Sequence, residues 1–223
     1  MEREIAGISM EIQRKDIKNM YLRVKPGGRV SVSVPRRMSM EEIEAFVRRK
    51  QEWIGRQQER LRSCEEKPLQ YVTGETVYVW GIPYTLEVER GAVREVRILS
   101  KGCLGIRTKA EDGRQEQEKL LKDWYREILR MQIEQRLPVW ESAMGLYCEK
   151  WQLRDMRSRW GSCNTASGRL CFALQLAEKP VECLDYILVH ELAHLAIPDH
   201  SPRFWALVGR YVPDWQRLRK MLR

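Results

Sequence analysis

All three histidines of this 223-residue chain fall within one short stretch, His190-Glu191-Leu192-Ala193-His194 and then His200. On a helix the first two lie one turn apart on one face, so two imidazoles can converge on one metal ion. Zinc accepts such nitrogens at about 2.0–2.1 Å in a tetrahedron, and a catalytic site uses three protein ligands and leaves the fourth place to water. The metal lowers the pKa of that water towards about 7. Glu191, beside the first ligand, is placed to take the proton as general base. The expectation is therefore Zn2+ on His190, His194 and His200, with Glu191 catalytic. A closed structural site would need a fourth protein ligand, and Asp199, Cys163, Cys171 or Cys183 would have to supply it.

The surrounding residues specify the elements that must hold this group. Pro180 suits the first turn of a helix over 181–197, and Glu182 and Asp185 put negative charge at its positive end. Leu184, Ile187, Leu188 and Leu195 supply an apolar face, and Pro198 ends the helix about one turn after His194. Ser201-Pro202 reads as N-cap and first position of a helix over 202–222, with Phe204, Trp205 and Val208 on its packing side. His200 is thus expected in a tight turn between two helices.

Upstream, periodicity predicts a helix over 115–136 with Leu120, Leu121, Trp124, Ile128, Met131 and, just beyond, Leu137 inward. Pro138 interrupts it, and a shorter helix runs to about Met144 before Gly145. Residues 151–157 and 169–177 read as strands around a turn-rich 161–168, the second an edge on which an extended peptide could pair. Ile8, Met10 and Ile12, then Met20, Leu22 and Val24, then Val30, Val32 and Val34 alternate with polar residues. With the Pro26-Gly27-Gly28 turn they predict a three-stranded antiparallel meander. Ser39 and Glu42 form a capping-box pattern for a helix over 39–62, with Ile43, Phe46, Val47, Trp53 and Ile54 as its stripe. Short strands follow over 74–88, 93–99 and 103–107. The polar segment 109–114 is the expected boundary between a β-rich N-terminal region, 1–112, and a domain over 113–223. No internal repeat is visible.

Composition narrows the function classes. The net charge of +9 is spread as +4 over 1–66, +2 over 67–114, −1 over 115–150 and +4 over 151–223, so no segment forms a basic track. No apolar run reaches the roughly 18 residues of a membrane span, and the charged start leads into no hydrophobic stretch, which points to the cytoplasm. Six cysteines without a Cys-x-x-Cys pair read as thiols in a reducing compartment. Ser162 and Cys163 have no histidine left to activate them once all three bind metal.

Arg159-Trp160-Gly161-Ser162-Cys163, Leu170 to Leu176, Pro180, Asp185-Tyr186, the His-Glu-x-x-His segment and His200-Ser201-x-x-Phe204-Trp205 together resemble the YgjP-like zinc metallopeptidases. SprT-like and WLM proteases share fewer of these elements. Lys25 to Pro35, Phe46 to Ile54 and Gly81-x-Pro83-Tyr84 extend the resemblance over the whole chain. The resemblance implies an α+β zincin-type domain: a small antiparallel sheet over the active-site helix, with the three histidines on zinc and Glu191 as base. Ala173 stands where the family pattern has Asn. Metzincin membership is excluded, because Ile197 occupies the glycine position and no Met-turn follows.

The resulting expectation is a zinc-dependent metallopeptidase acting on a peptide or protein, with Arg159, Trp160 and Tyr211 as substrate-contacting residues. One alternative is a nucleotide pyrophosphatase acting on a nucleoside triphosphate held by Arg157, Arg159 and Arg203. The other is a nucleic-acid-associated protein with a structural zinc.

Overall fold

The computed structural model describes residues 2–25, 28–63, 69–100, 102–156 and 158–222, with side chains for all of these except 59–63. The chain is α+β and divides into two units, Met1–Leu69 and Gln70–Arg223. The first contains β1 (Glu2–Ile5), β2 (Ile8–Lys15), β3 (Tyr21–Val24), β4 (Val30–Pro35) and α1 (Met40–Ser63). Its sheet order is β1-β2-β4-β3, not the expected meander: β4 runs parallel to β2 and antiparallel to β3. Burial explains the exchange. Val30, Val32 and Val34 are at most 3% exposed, so β4 takes the centre, and half-exposed β3 takes the edge. Pro26 and Gly27 lie outside the described residues. The capping box forms as expected, Glu42 N–H donating to Ser39 Oγ and Ser39 N–H to Glu42 Oε2. Ile43, Val47 and Ile54 are fully buried, whereas Trp53 is 39% exposed and leaves the stripe.

The second unit opens with β5 (Thr76–Val79), β6 (Ile82–Arg90), β7 (Glu95–Ser100), β8 (Cys103–Thr108) and α2 (Arg114–Met144), in the order β5-β6-β8-β7. This is the first unit's topology again, at an offset of 74 residues. Ile5 pairs Ile8 as Val79 pairs Ile82, and Tyr21 pairs Ser33 as Glu95 pairs Arg107. The left-handed turn Ala6-Gly7 recurs as Trp80-Gly81. The Ser39–Glu42 box recurs in Glu116, which accepts from Gly113 N–H at the start of α2. Only the parallel pair slips, by two residues, which keeps every side chain on its face.

The chain does not divide at 112/113. The polar 109–114 segment is a loop pinned to the β5–β8 sheet. Buried Asp112 accepts from Arg94 Nε at 2.8 Å and from Lys109 N–H at 2.9 Å, and Arg90 donates to its carbonyl. Nor does Pro138 break α2, which is one helix of 31 residues. Pro138 is exposed, while Leu121, Tyr125, Leu129, Ile133 and Leu137 form an unbroken buried row. That row, rather than Trp124, Ile128 and Met131, is the inward face; Met131 is 51% exposed.

The remainder comprises β9 (Lys150–Arg154), β10 (Gly161–Asn164), β11 (Arg169–Ala173), a 3-10 turn Leu174–Glu178, α3 (Val181–Ala196), α4 (Pro202–Tyr211) and α5 (Trp215–Met221). The sheet order is β10-β11-β9, with β10 antiparallel and β9 parallel to β11, so the expected antiparallel sheet is mixed. β11 is paired on both sides and offers no edge. The edge strand packed against α3 is β10, from the stretch read as turns. Pro213 splits the expected 202–222 helix by disfavouring helix at Val212. Five cysteines are free thiols and Cys64 lies outside the described residues. Among the described residues no helix is long and apolar enough to cross a membrane.

Candidate metal centre

α3 is fixed from three sides before it presents its histidines. Leu184, Leu188 and Leu192 are fully buried. At its start the β5–β6 turn docks, Trp80 N–H donating to Ala177 O and Gly81 N–H to Glu178 O, at 2.8 and 3.1 Å. A Cβ on Gly81 would lie 2.7 Å from Pro180 Cγ, so only glycine fits that approach. From α2, Arg136 Nη1 and Trp140 Nε1 donate to the two oxygens of Asp185, at 2.7 and 2.8 Å. These donors straddle Pro138 and hold both halves of α2 to α3. Asp185→Ala should leave Arg136 Nη1 and the Trp140 indole N–H without their acceptor, costing about 1–3 kcal/mol. A denaturant midpoint equal to wild type would contradict that.

His190 and His194 are half-buried on successive turns, Ile197 ends the helix, and His200 follows in the turn before Ser201-Pro202, as the sequence implied. One nitrogen from each ring falls within 4.8 Å of the others. His190 Nε2 and His200 Nε2 are 3.1 Å apart. Two nitrogens at about 2.05 Å from a tetrahedral ion would be about 3.3 Å apart, so the spacing fits one shared cation. His194 Nδ1 lies 3.2 Å from Ile197 O; an N–H there donates to the carbonyl and leaves Nε2 as the ligand atom. His190 Nδ1 is buried without a partner among the described residues. Exposed His200 is held by ring contacts, stacked on Trp205 at 5.4 Å and 22°, and Trp205 is stacked in turn on Trp215 at 4.2 Å. Neither Asp199 nor any described cysteine joins the group, which leaves it three protein ligands.

Glu191, 4% exposed, packs against β10: a Cβ on Gly161 would lie 2.5 Å from its Oε1. Burial pushes its carboxyl up to about 8, against a smaller lowering by Arg159. Burial, reinforced by His194, His200 and Arg219, pushes His190 down to about 3. His194 is also lowered, chiefly by burial. Both imidazoles therefore stay neutral, and able to bind metal, as pH falls below the ordinary 6.5. A divalent metal loaded onto the protein should therefore not be released through these two imidazoles near pH 6.5; their protonation at that pH, read by NMR of the metal-free protein, would refute this.

A cleft of about 370 Å³ opens beside His190 and Glu191, lined by these two and by Arg159, Trp160, Gly161, Tyr186, Ile187, Arg219 and Leu222. Arg159 and Trp160 are thus at the cleft, whereas Tyr211, at the end of α4, and Arg203, exposed on its first turn, do not line it. Arg157 lies outside the described residues. Sequence reasoning missed Gly161, Tyr186 and Arg219 as lining residues. Tyr186 was legible, since it sits one turn before His190 on the same face.

A helix and the turn after it that offer three imidazoles to one ion, with a carboxylate buried beside the first, have the chemistry of a metal-dependent hydrolase. Comparison with known proteins is more specific. The YgjP-like metallopeptidase domain model matches residues 18–223, and the chain belongs to that family of metallopeptidases. Among solved structures, the metallopeptidase zymogen abylysin of Pyrococcus abyssi is similar at 24% identity and a TM-score of 0.36, over 40% of this chain and 87% of that one. No curated protein matches the chain.

Proposed function

We propose that the protein is a zinc peptidase in which His190, His194 and His200 hold the ion and Glu191 takes the proton from the attacking water. The observation that carries this reading is the convergence of three imidazole nitrogens within 4.8 Å beside a carboxylate only 4% exposed. When bound, zinc supplies a Lewis acid and lowers the pKa of water at the site. The chain's own part is to keep the imidazoles neutral, to aim Glu191 from under Gly161, and to present the edge of β10 for an extended peptide to pair with. This machinery falls within residues 113–223, the β5–β8 sheet bracing α3 from outside it. The test is hydrolysis by zinc-loaded protein of casein and of nucleoside triphosphates in parallel. Cleaved casein with intact triphosphate is expected; the reverse would contradict the reading in favour of a pyrophosphatase.

A further inference from the structure

We propose that Arg159 and Arg219 make the cleft selective for peptides that carry a carboxylate beside the scissile bond, from an acidic side chain or a free chain end. The inference rests on the peptidase reading and adds its substrate class. Glu191 is buried, so the charged groups that the cleft exposes to a substrate are the two guanidiniums. Arg159 immediately precedes Trp160 and β10, and Arg219 lies on α5, two elements that both pack on α3. Trp160 Nε1 donates to Leu222 O at 2.6 Å, which ties those elements together and sets the spacing of their arginines.

Neither guanidinium has a carboxylate within 4.0 Å among the described residues, whereas Arg94, Arg136 and Arg217 are each paired with an aspartate. Arg219 is nonetheless held in place. Its guanidinium carbon lies 4.9 Å over the Trp205 ring, and Trp205 is stacked on Trp215. A guanidinium lying on an aromatic face keeps its N–H fork free for bidentate binding of a carboxylate. Cations fixed beside a reaction centre and lacking a protein partner select an anion from the substrate.

The test uses zinc-loaded protein carrying Glu191→Gln, so that peptides bind without being cut, and calorimetry on matched peptides. One pair differs by Glu against Gln, the other by a free against an amidated C-terminus. The acid member of one pair should bind at least about ten-fold tighter. That advantage should vanish in Arg159→Gln and in Arg219→Gln, and Arg219→Glu should turn the preference towards a lysine peptide, a gain that misfolding cannot mimic. An advantage confined to the Glu/Gln pair assigns the side chain; one confined to the free end assigns the chain terminus. Equal binding throughout overturns the proposal, while casein cleavage by the wild type, run alongside, judges the peptidase reading separately. Tripolyphosphate binding tighter than every peptide would also overturn it, in favour of a phosphate ligand.

Discussion

Gly161→Ala should lower peptide hydrolysis about a hundred-fold while leaving the zinc in place. The added Cβ would lie 2.5 Å from Glu191 Oε1, 2.8 Å from Cγ and 2.9 Å from Cδ, distances that non-bonded carbon does not tolerate. Gly161 is paired to Phe172 in the sheet, and Phe172 is fully buried, so β10 cannot retreat cheaply. The Glu191 carboxylate is the movable partner, and moving it relieves the clash. Stability should therefore change little, by about 1 kcal/mol, while the proposed base leaves its position. Metal content near wild type with kcat down two orders of magnitude is the expected pattern. Unchanged kcat would show that the carboxylate's position does not matter.

Glu191→Gln should reduce kcat by roughly 10²–10⁴-fold, again with metal retained, because a carboxamide of the same shape accepts no proton. It should also stabilise the metal-free protein at alkaline pH. The folded-state carboxyl titrates at about 8, above its unfolded 4.5, so the native state holds the extra proton between those values. Stability is then fully present below pH 4.5 and lost as pH rises through 8. Glutamine cannot ionise, so the variant's gain in Tm should appear above pH 4.5 and be greatest beyond pH 8. A lower Tm for the variant at pH 9 would contradict the buried-carboxylate account. Activity and stability thus pull in opposite directions at one residue, as at other strained functional sites.

The three-histidine cluster was legible because it is local in sequence. His190, Glu191 and His194 share a helix, and Pro198 with Ser201-Pro202 fixes the turn that brings His200 back to it. α1 was equally legible, since its capping box and its Ile43, Val47 and Ile54 are encoded within one segment. What escaped depends on partners distant in sequence. Gly161-Ser162-Cys163-Asn164 has no apolar alternation and is a strand only because β11 pairs with it. Pro138 reads as a helix stop, but the buried row from Leu121 to Leu137 and the shared Asp185 carry the helix past it. The repeat was hidden because it is kept in turn geometry and register. Gly7 and Gly81, Ile8 and Ile82, Arg23 and Arg97, and Glu42 and Glu116 are among the few identities it retains. Arg219 gave no signal at all; its place at the cleft follows from how α5 packs on α3.

The most direct test of the central claim is a zinc titration of metal-stripped protein with peptide hydrolysis read at each addition. Activity should climb with zinc and level off at one ion per chain, and His194→Ala should remain silent throughout. Stoichiometric zinc binding that brings no hydrolysis, or hydrolysis that survives in the stripped protein, would contradict it.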